Sequence, residues 1–403
     1  MYSFKLFSKV VVKFLLVCLL TIAGSVYAAA KTKQTIQSVN IAYLSLEQAP
    51  PPALSNLDPF IKDKGLLGAE LGVVDNNTTG QFTNQQFTLK SFVTTLDGNV
   101  IETFKKEIAG HYQFILVNLP ASQLQELADL PETKQTVLFD LATSDDELRN
   151  TQCRRNVLHI LPSRAMRADA LAQYMMKKRW SKWFLVTGPT QEDRLYADAI
   201  KRAGKRFGMK IVAEKNWDHT FDARKTAQSD VAVFTQVDDY DVLVVADEQG
   251  LFGEYLDYRS WLPRPVIGTQ GLIATAWHKT HEQWGASQIQ NRFQDKTGRW
   301  MEELDYSAYL AIRAIGEAAT RTKSNELKPV KDYLISDQFA LQGYKGSPLS
   351  FRAWDGQLRQ PLLLAAPRSL VAVAPIEGFL HPKTELDTLG YDQPETQCHW
   401  SQE

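Results

Sequence analysis

The chain has 403 residues, 44% of them hydrophobic, which is enough for two domains of ordinary size with substantial cores. Its 45 Lys and Arg against 46 Asp and Glu leave a net charge of −1. That balance excludes a broad electrostatic attraction to nucleic acid or to an anionic membrane as the basis of function.

In chain order, Lys5, Lys9 and Lys13 precede and interrupt an apolar stretch from Val10 to Ala23, which leads to Val26-Tyr27-Ala28-Ala29-Ala30. A positive start, an apolar middle and small residues at a cleavage point predict an export signal over residues 1–30. The apolar stretch is short of the roughly 20 residues of a membrane span, so cleavage is favoured over an uncleaved anchor. Cys18 does not read as a lipid attachment site, because Val17 before it is too large for the usual motif. Removing the signal leaves 42 basic against 46 acidic residues, net −4, with Cys153 and Cys398 as the remaining cysteines. An even pair in an oxidising compartment predicts a disulfide that pins the C-terminal tail to the middle of the chain; two buried free thiols are the alternative.

Val39 to Leu46 predicts a first strand, followed by a Pro-rich loop from Glu47 to Pro52. Residues 64–74 predict a helix despite Gly65, Gly68 and Gly72, and Asp75 to Gly80 a turn. Residues 88–95 read as a strand and 100–109 as a short helix. Phe114–Asn118 and Val137–Leu141 are buried strands. Ser122 is followed three residues later by Gln125, and Ser144 by Glu147; each pair follows one of those strands and has the form of a capping box. Two helix N-termini are therefore expected at one crevice, where free amides and the helix dipole favour an anionic or polar ligand group. The alternative is that the serines only cap their helices.

After a linker at 149–161 the pattern is clearest. Ala168, Leu171, Ala172, Met175, Met176 and Trp180 make one helical face. Trp183–Thr187 is a short apolar run, the mark of a strand buried on both faces. Gly188-Pro189-Thr190 breaks it, a second helix runs to Phe207, Gly208 suits a left-handed helix end, and Met209–Ala213 is the next strand. Parallel strands joined by a helix imply a right-handed crossover and a covered sheet, whose ligands bind outside the carboxyl ends of the strands. Tyr240–Ala246 and Val266–Gly268 are further strands, ending in Asp247-Glu248-Gln249-Gly250 and Thr269-Gln270-Gly271. Leu304–Thr320 is a helix. Leu349–Trp354, Asp355-Gly356 and Gln357–Leu364 spell a hairpin with a two-residue turn.

Catalytic and cofactor motifs do not stand out. The chain has no P-loop, GxGxxG, GxSxG or HExxH. His278 and His281 lie three apart on an expected helix, but without a matching carboxylate or Cys they read as a solvated pair rather than a metal site. Asp238-Asp239-Tyr240-Asp241 lacks the Gly and distal Glu of a calcium loop and reads as a charged strand entry. Neither an enzyme nor a cofactor is expected.

An exported α/β chain with two sheet-forming halves and polar strand-end loops resembles a type I periplasmic solute-binding protein of the branched-chain amino acid ABC importer class. The resemblance spans most of residues 36–370. It rests on Gly68-Ala69-Glu70-Leu71 leading to Asp75-Asn76-Asn77, on Ala142-Thr143-Ser144-Asp145-Asp146-Glu147-Leu148, and on the stretch from Tyr174 to Gly188. The tail resembles, more narrowly, a subgroup linked to pyrroloquinoline-quinone (PQQ)-dependent alcohol oxidation. The residues concerned are Phe351-Arg352-Ala353-Trp354-Asp355-Gly356-Gln357-Leu358-Arg359-Gln360-Pro361, Gly378-Phe379-Leu380-His381-Pro382 and Leu386-Asp387-Thr388-Leu389-Gly390.

The resemblance implies two lobes, each a mostly parallel sheet covered by helices, joined by three crossings and closing on a small molecule. Lobe one would be 36–158 with 274–345, lobe two 159–273 with 346–376, and 377–403 a tail. Ser122, Ala142 and Thr143 would meet the ligand from lobe one, and Thr190, Asp247 and Gln270 from lobe two. Implied partners are a small-molecule ligand and an ABC permease and ATPase, with the protein itself a periplasmic monomer. A sensory subunit on the same fold is the alternative, and an exported accessory enzyme a more distant one. The chain departs from the class at Gly268-Thr269-Gln270-Gly271, where amino-acid binders tend to carry Gly-Pro-Glu-Gly. Neutral Gln270 removes one charge partner for an α-amino group unless Asp247 or Glu248 compensates, so the ligand is expected not to be an ordinary branched-chain amino acid.

Overall fold

Short continuous apolar runs, buried on both faces, build the two main sheets of the computed structural model, which describes residues 36–49, 60–217, 231–257 and 259–398. The expected export signal, and part of the Pro-rich loop after the first strand, lie outside the described residues. The elements in order are β1 (Gln37–Leu46), α1 (Leu66–Thr83), β2 (Gln85–Thr94), α2 (Val100–Thr103), β3 (Phe114–Asn118), α3 (Ala121–Ala128), β4 (Val137–Asp140) and β5 (Val157–His159). Then come α4 (Arg164–Lys178), β6 (Lys182–Thr187), α5 (Gln191–Arg206), β7 (Lys210–Asn216), β8 (Val242–Ala246), β9 (Val266–Gly268) and β10 (Leu272–Thr275). The last part holds α6 (Ala286–Thr297), α7 (Glu303–Thr322), α8 (Leu327–Leu334), β11 (Leu341–Gln342), β12 (Pro348–Phe351), β13 (Leu358–Arg359), β14 (Leu362–Ala366) and β15 (Ser369–Ala374).

The first sheet has the order β2-β1-β3-β4-β5, with β1, β3, β4 and β5 running parallel. Alternate residues of β1 and β3 feed different cores. Ile41, Tyr43, Phe114 and Leu116 face α1 and α7, whereas Ala42, Leu44, Ile115 and Val117 face the side of α3. The second sheet has the order β15-β14-β10-β9-β8-β6-β7; β7, β6, β8, β9 and β10 are parallel, and the β14–β15 hairpin adds antiparallel strands at one edge. It too is covered on both faces: Trp183 and Leu185 pack with α4 and α5, and Phe184 and Val186 with Trp217 and Phe252. The chain passes between the sheets after β5, after β10 and after β13. A small third sheet, β11-β12-β13, lies at the last passage.

Several local expectations are overturned. Residues 75–80 are not a turn but the continuation of α1. The glycines of this helix let it lie against α7: a Cβ on Gly68 would sit 1.9 Å from the Asp305 carbonyl oxygen, and one on Gly72 2.8 Å from Ile312. Asn76 donates to the Ile312 carbonyl (2.7 Å), and Asn77 exchanges two bonds with the backbone of Phe87 (2.8 and 2.9 Å). These side chains are spent on tertiary partners rather than on a turn of their own. Second, Leu349–Leu364 is not one hairpin with a two-residue turn. β12 pairs with β13 across the six-residue loop 352–357, and β14 departs into the second sheet. The loop is held by Arg352, a buried cation that reaches Asp387 at 2.9 Å and the carbonyls of Leu386, Leu389 and Tyr391. Third, neither expected capping box forms. Ser122 lies inside α3, whose N-cap is Pro120, and the segment after Ser144 is only a 3-10 turn at Asp146–Arg149.

His278 and His281 sit in a turn rather than on a helix, and His281 is buried, its Nε2 2.7 Å from the Tyr344 carbonyl. The Asp241 carboxylate accepts from the Lys182 amide (2.8 Å), consistent with a charged strand entry. Cys153 and Cys398 form a disulfide.

Candidate functional site

The parallel strands of both sheets send their following loops to one cleft of about 670 Å³. From the first sheet come Leu119–Ala121 after β3, Ala142–Asp145 after β4 and Leu161 after β5. From the second come Asp247–Gly250 after β8 and Gly268–Gln270 after β9, with Glu192 and Tyr196 of α5. This is the position at which open parallel sheets receive ligands, and the volume is that of a small-molecule site.

Four of the six expected ligand residues lie on the wall: Ala142, Thr143, Asp247 and Gln270. Ser122 is exposed on α3 and Thr190 is the N-cap of α5, accepting from the Asp193 amide at 3.1 Å; neither lines the cleft. The wall residues are also differently engaged than a reading of side-chain types suggests. The Thr143 hydroxyl is bonded to Asp140, and the amides of Ala142 and Thr143 donate to the same carboxylate at 3.2 and 3.0 Å. Asp140 is itself buried against His159 (2.7 Å) and Arg149 (3.7 Å). Burial works against its charge, but His159 and Arg149 outweigh this and hold the carboxyl below its usual range. Asp247 accepts from the amides of Leu251, Phe252 and Gly253 at 2.7–2.9 Å, so its carboxylate shapes its own loop; burial still pushes its pKa up.

The turn after β9 requires its glycine. Gly268 has φ +117°, and a Cβ there would meet the Val245 carbonyl oxygen at 2.1 Å. Thr269 is locked by the same strand, donating to the Val245 carbonyl and accepting from the Asp247 amide (2.9 Å). Gln270 then projects over Gly253, where a Cβ would come within 2.4 Å of Gln270 Cγ.

Apart from Glu248, sequence reasoning missed the charged groups that span the cleft. Arg164 holds Glu248 through bonds of 2.6–3.1 Å and lies 3.1 Å from Asp145, joining the loops after β4 and β8. Burial opposes its charge, but Glu248 raises its pKa on balance. Arg167 donates to Glu303 and to the Ala274 carbonyl, both at 2.8 Å, and Glu303 accepts from the Ala276 amide beside the β10 passage. Tyr196 completes this wall, its phenol pKa raised by burial. The available signal was the position of Arg164 and Arg167, one turn apart at the start of an apolar-striped helix and so on one face of it.

The family described as "Periplasmic binding protein" matches residues 68–368. The chain belongs to this family. Such membership implies a periplasmic location. Solved structures share its fold. A periplasmic binding protein from Burkholderia mallei superposes with a TM-score of 0.64 at 14% identity, covering 90% of this chain and 99% of that one. A leucine-, isoleucine-, valine-, threonine- and alanine-binding protein from Brucella ovis, in a closed conformation, gives 0.63 at 14%, covering 82% and 90%. A solute-binding protein of an ABC transporter from R. palustris, in complex with benzoate, gives 0.63 at 10%, covering 90% and 99%. No curated protein matches the chain in sequence.

Proposed function

We propose that this family member is the exported substrate-binding component of an ABC importer, capturing a small polar organic solute between two lobes that close as a hinge. The observation that carries the reading is the cleft itself, walled by strand-end loops of both sheets and bridged by Arg164. The lobes are 36–158 with 274–345 and 159–273 with 346–376; closure would bring Ala142 and Thr143 towards Asp247 and Gln270. The partners are a permease and its ATPase, the protein acting as a monomer. The tail motifs, by their resemblance, support a link to PQQ-dependent alcohol catabolism.

A thermal-shift screen of the purified protein with amino acids, alcohols, aldehydes, short carboxylates and polyols tests the reading. A true ligand at about 100 times its dissociation constant stabilises the protein by roughly 2.7 kcal/mol. Gln270→Ala should abolish that shift without lowering the melting temperature of the free protein. A ligand whose shift survives both Gln270→Ala and Asp247→Ala would place binding elsewhere and overturn the assignment of the cleft.

A further inference from the structure

Around this cleft the amides of three strand-end loops, those after β4, β6 and β8, are already taken by the protein's own carboxylates. Asp140 takes the amides of Ala142 and Thr143 after β4. Asp193 is wholly buried; its Oδ1 accepts from the Glu248 amide at 2.7 Å and its Oδ2 from the Thr190 amide at 3.1 Å. Asp247 takes the three amides that follow its own turn. Backbone amides at such loops are the ordinary receptors of carboxylates and phosphates. The cations are ion-paired, although Arg164 Nη1, 3.1 Å from Asp145, is a buried donor without a hydrogen bond. Arg164 lies between Glu248 and Asp145, and Arg167 is bonded to Glu303. The wall carries two arginines against five carboxylates, those of Asp145, Glu192, Asp247, Glu248 and Glu303. The start of α3 does offer amides without a side-chain cap, but Asp145 lies on the same wall as Ala121 and places a negative charge beside them. Gln270, Gln249, Tyr196 and Ser144 also line the cleft. They are neutral groups that suit hydroxyl and carbonyl partners.

We infer that the cleft excludes carboxylate-bearing solutes and holds its ligand through hydroxyl or carbonyl groups. The inference rests on the solute-binding reading above. It separates this protein from the leucine-, isoleucine-, valine-, threonine- and alanine-binding protein of Brucella ovis and the benzoate-bound protein of R. palustris, whose named ligands all present a carboxylate. The physical cause is twofold. A carboxylate entering here loses its hydration without gaining an unpaired cation, and it meets a net negative wall.

Calorimetric titration of benzoate and benzyl alcohol, a pair that differs in charge at one carbon, tests this on the wild type and on Asp145→Asn/Glu248→Gln. The double substitution removes both carboxylates from Arg164 while keeping the shapes of the side chains. Benzoate should bind the variant at least tenfold more tightly than the wild type, and its affinity relative to that of benzyl alcohol should rise by at least the same factor. The inference is overturned if the wild type binds benzoate as tightly as the variant does. It is equally overturned if a variant with an unchanged melting temperature gains no affinity for benzoate. Failure of benzyl alcohol and of the alcohols, aldehydes and polyols of the thermal-shift screen to bind the wild type would count against the solute-binding reading and against hydroxyl or carbonyl recognition, while the benzoate comparison tests the exclusion of carboxylates separately.

Discussion

At the residue scale, the cleft is organised by aspartates that face inward to the backbone. Asp247 shows why a residue type read from sequence locates a site better than it assigns a role. An acidic residue just after a buried strand was expected to meet the ligand, and it does line the cleft. Its direction, however, is set by three amides that no sequence pattern reveals. Thr143 is the same case, its hydroxyl turned to Asp140. A buried acceptor serving several donors leaves all of them unsatisfied when it is removed. Asp247→Ala should therefore destabilise the protein by about 3 kcal/mol, read as a fall in the urea midpoint. It should also weaken ligand binding by releasing the loop that carries Glu248 and Gln249. A change below about 0.5 kcal/mol, the ordinary range of an inconsequential surface substitution, would show that the loop holds its shape without the carboxylate.

At the element scale, the continuous apolar runs and the helical stripes made the parallel strands and the helices between them legible, because burial on two faces leaves little choice of residue. The boundaries that failed were those set by contacts distant in sequence. Residues 75–80 carry every local signal of a turn, yet α1 runs through them because Gly68 and Gly72 admit α7 and because Asn76 and Asn77 find backbone partners on α7 and β2. The glycines that argue locally against a helix are the ones that permit its packing. Gly68→Ala tests this directly. Taken alone, Ala is the better helix former by up to about 1 kcal/mol. Here its Cβ would require the Asp305 backbone, 1.9 Å away, to move. The substitution should lower stability by about 3 kcal/mol, in the range of overpacked cores and opposite in sign to the propensity. A stabilised variant would mean that α1 and α7 separate at little cost.

At the scale of the whole molecule, the tail explains why the most specific motifs of the chain say least about its ligand. Phe351–Pro361 and Leu386–Gly390 hold one another: Arg352 and Arg359 share Asp387, and the Gly390 amide is bonded to Asp169 of α4, which also pairs with Arg202 and Arg206 of α5. Gln357 and Gln360 bond the carbonyls of His159, Ile160 and Leu161, tying the last passage between the sheets to the first. These residues fasten the tail and the passages; none of residues 377–398 lines the cleft. The bridge from Cys153 to Cys398 closes a loop of 245 residues. In the chain-entropy account a loop of that length gives an upper bound of about 5 kcal/mol, since residual structure in the unfolded chain reduces the gain. Cys153→Ser/Cys398→Ser should therefore lose 2–5 kcal/mol of unfolding free energy, measured by denaturant titration under oxidising conditions. The ion pairs around Asp387 and Asp169 hold the tail without the bridge, so ligand affinity should stay within twofold of wild type. A tenfold loss of affinity would refute that separation, because it would mean that the disulfide shapes the cleft through the Asn150–Leu161 segment rather than merely fastening the chain end.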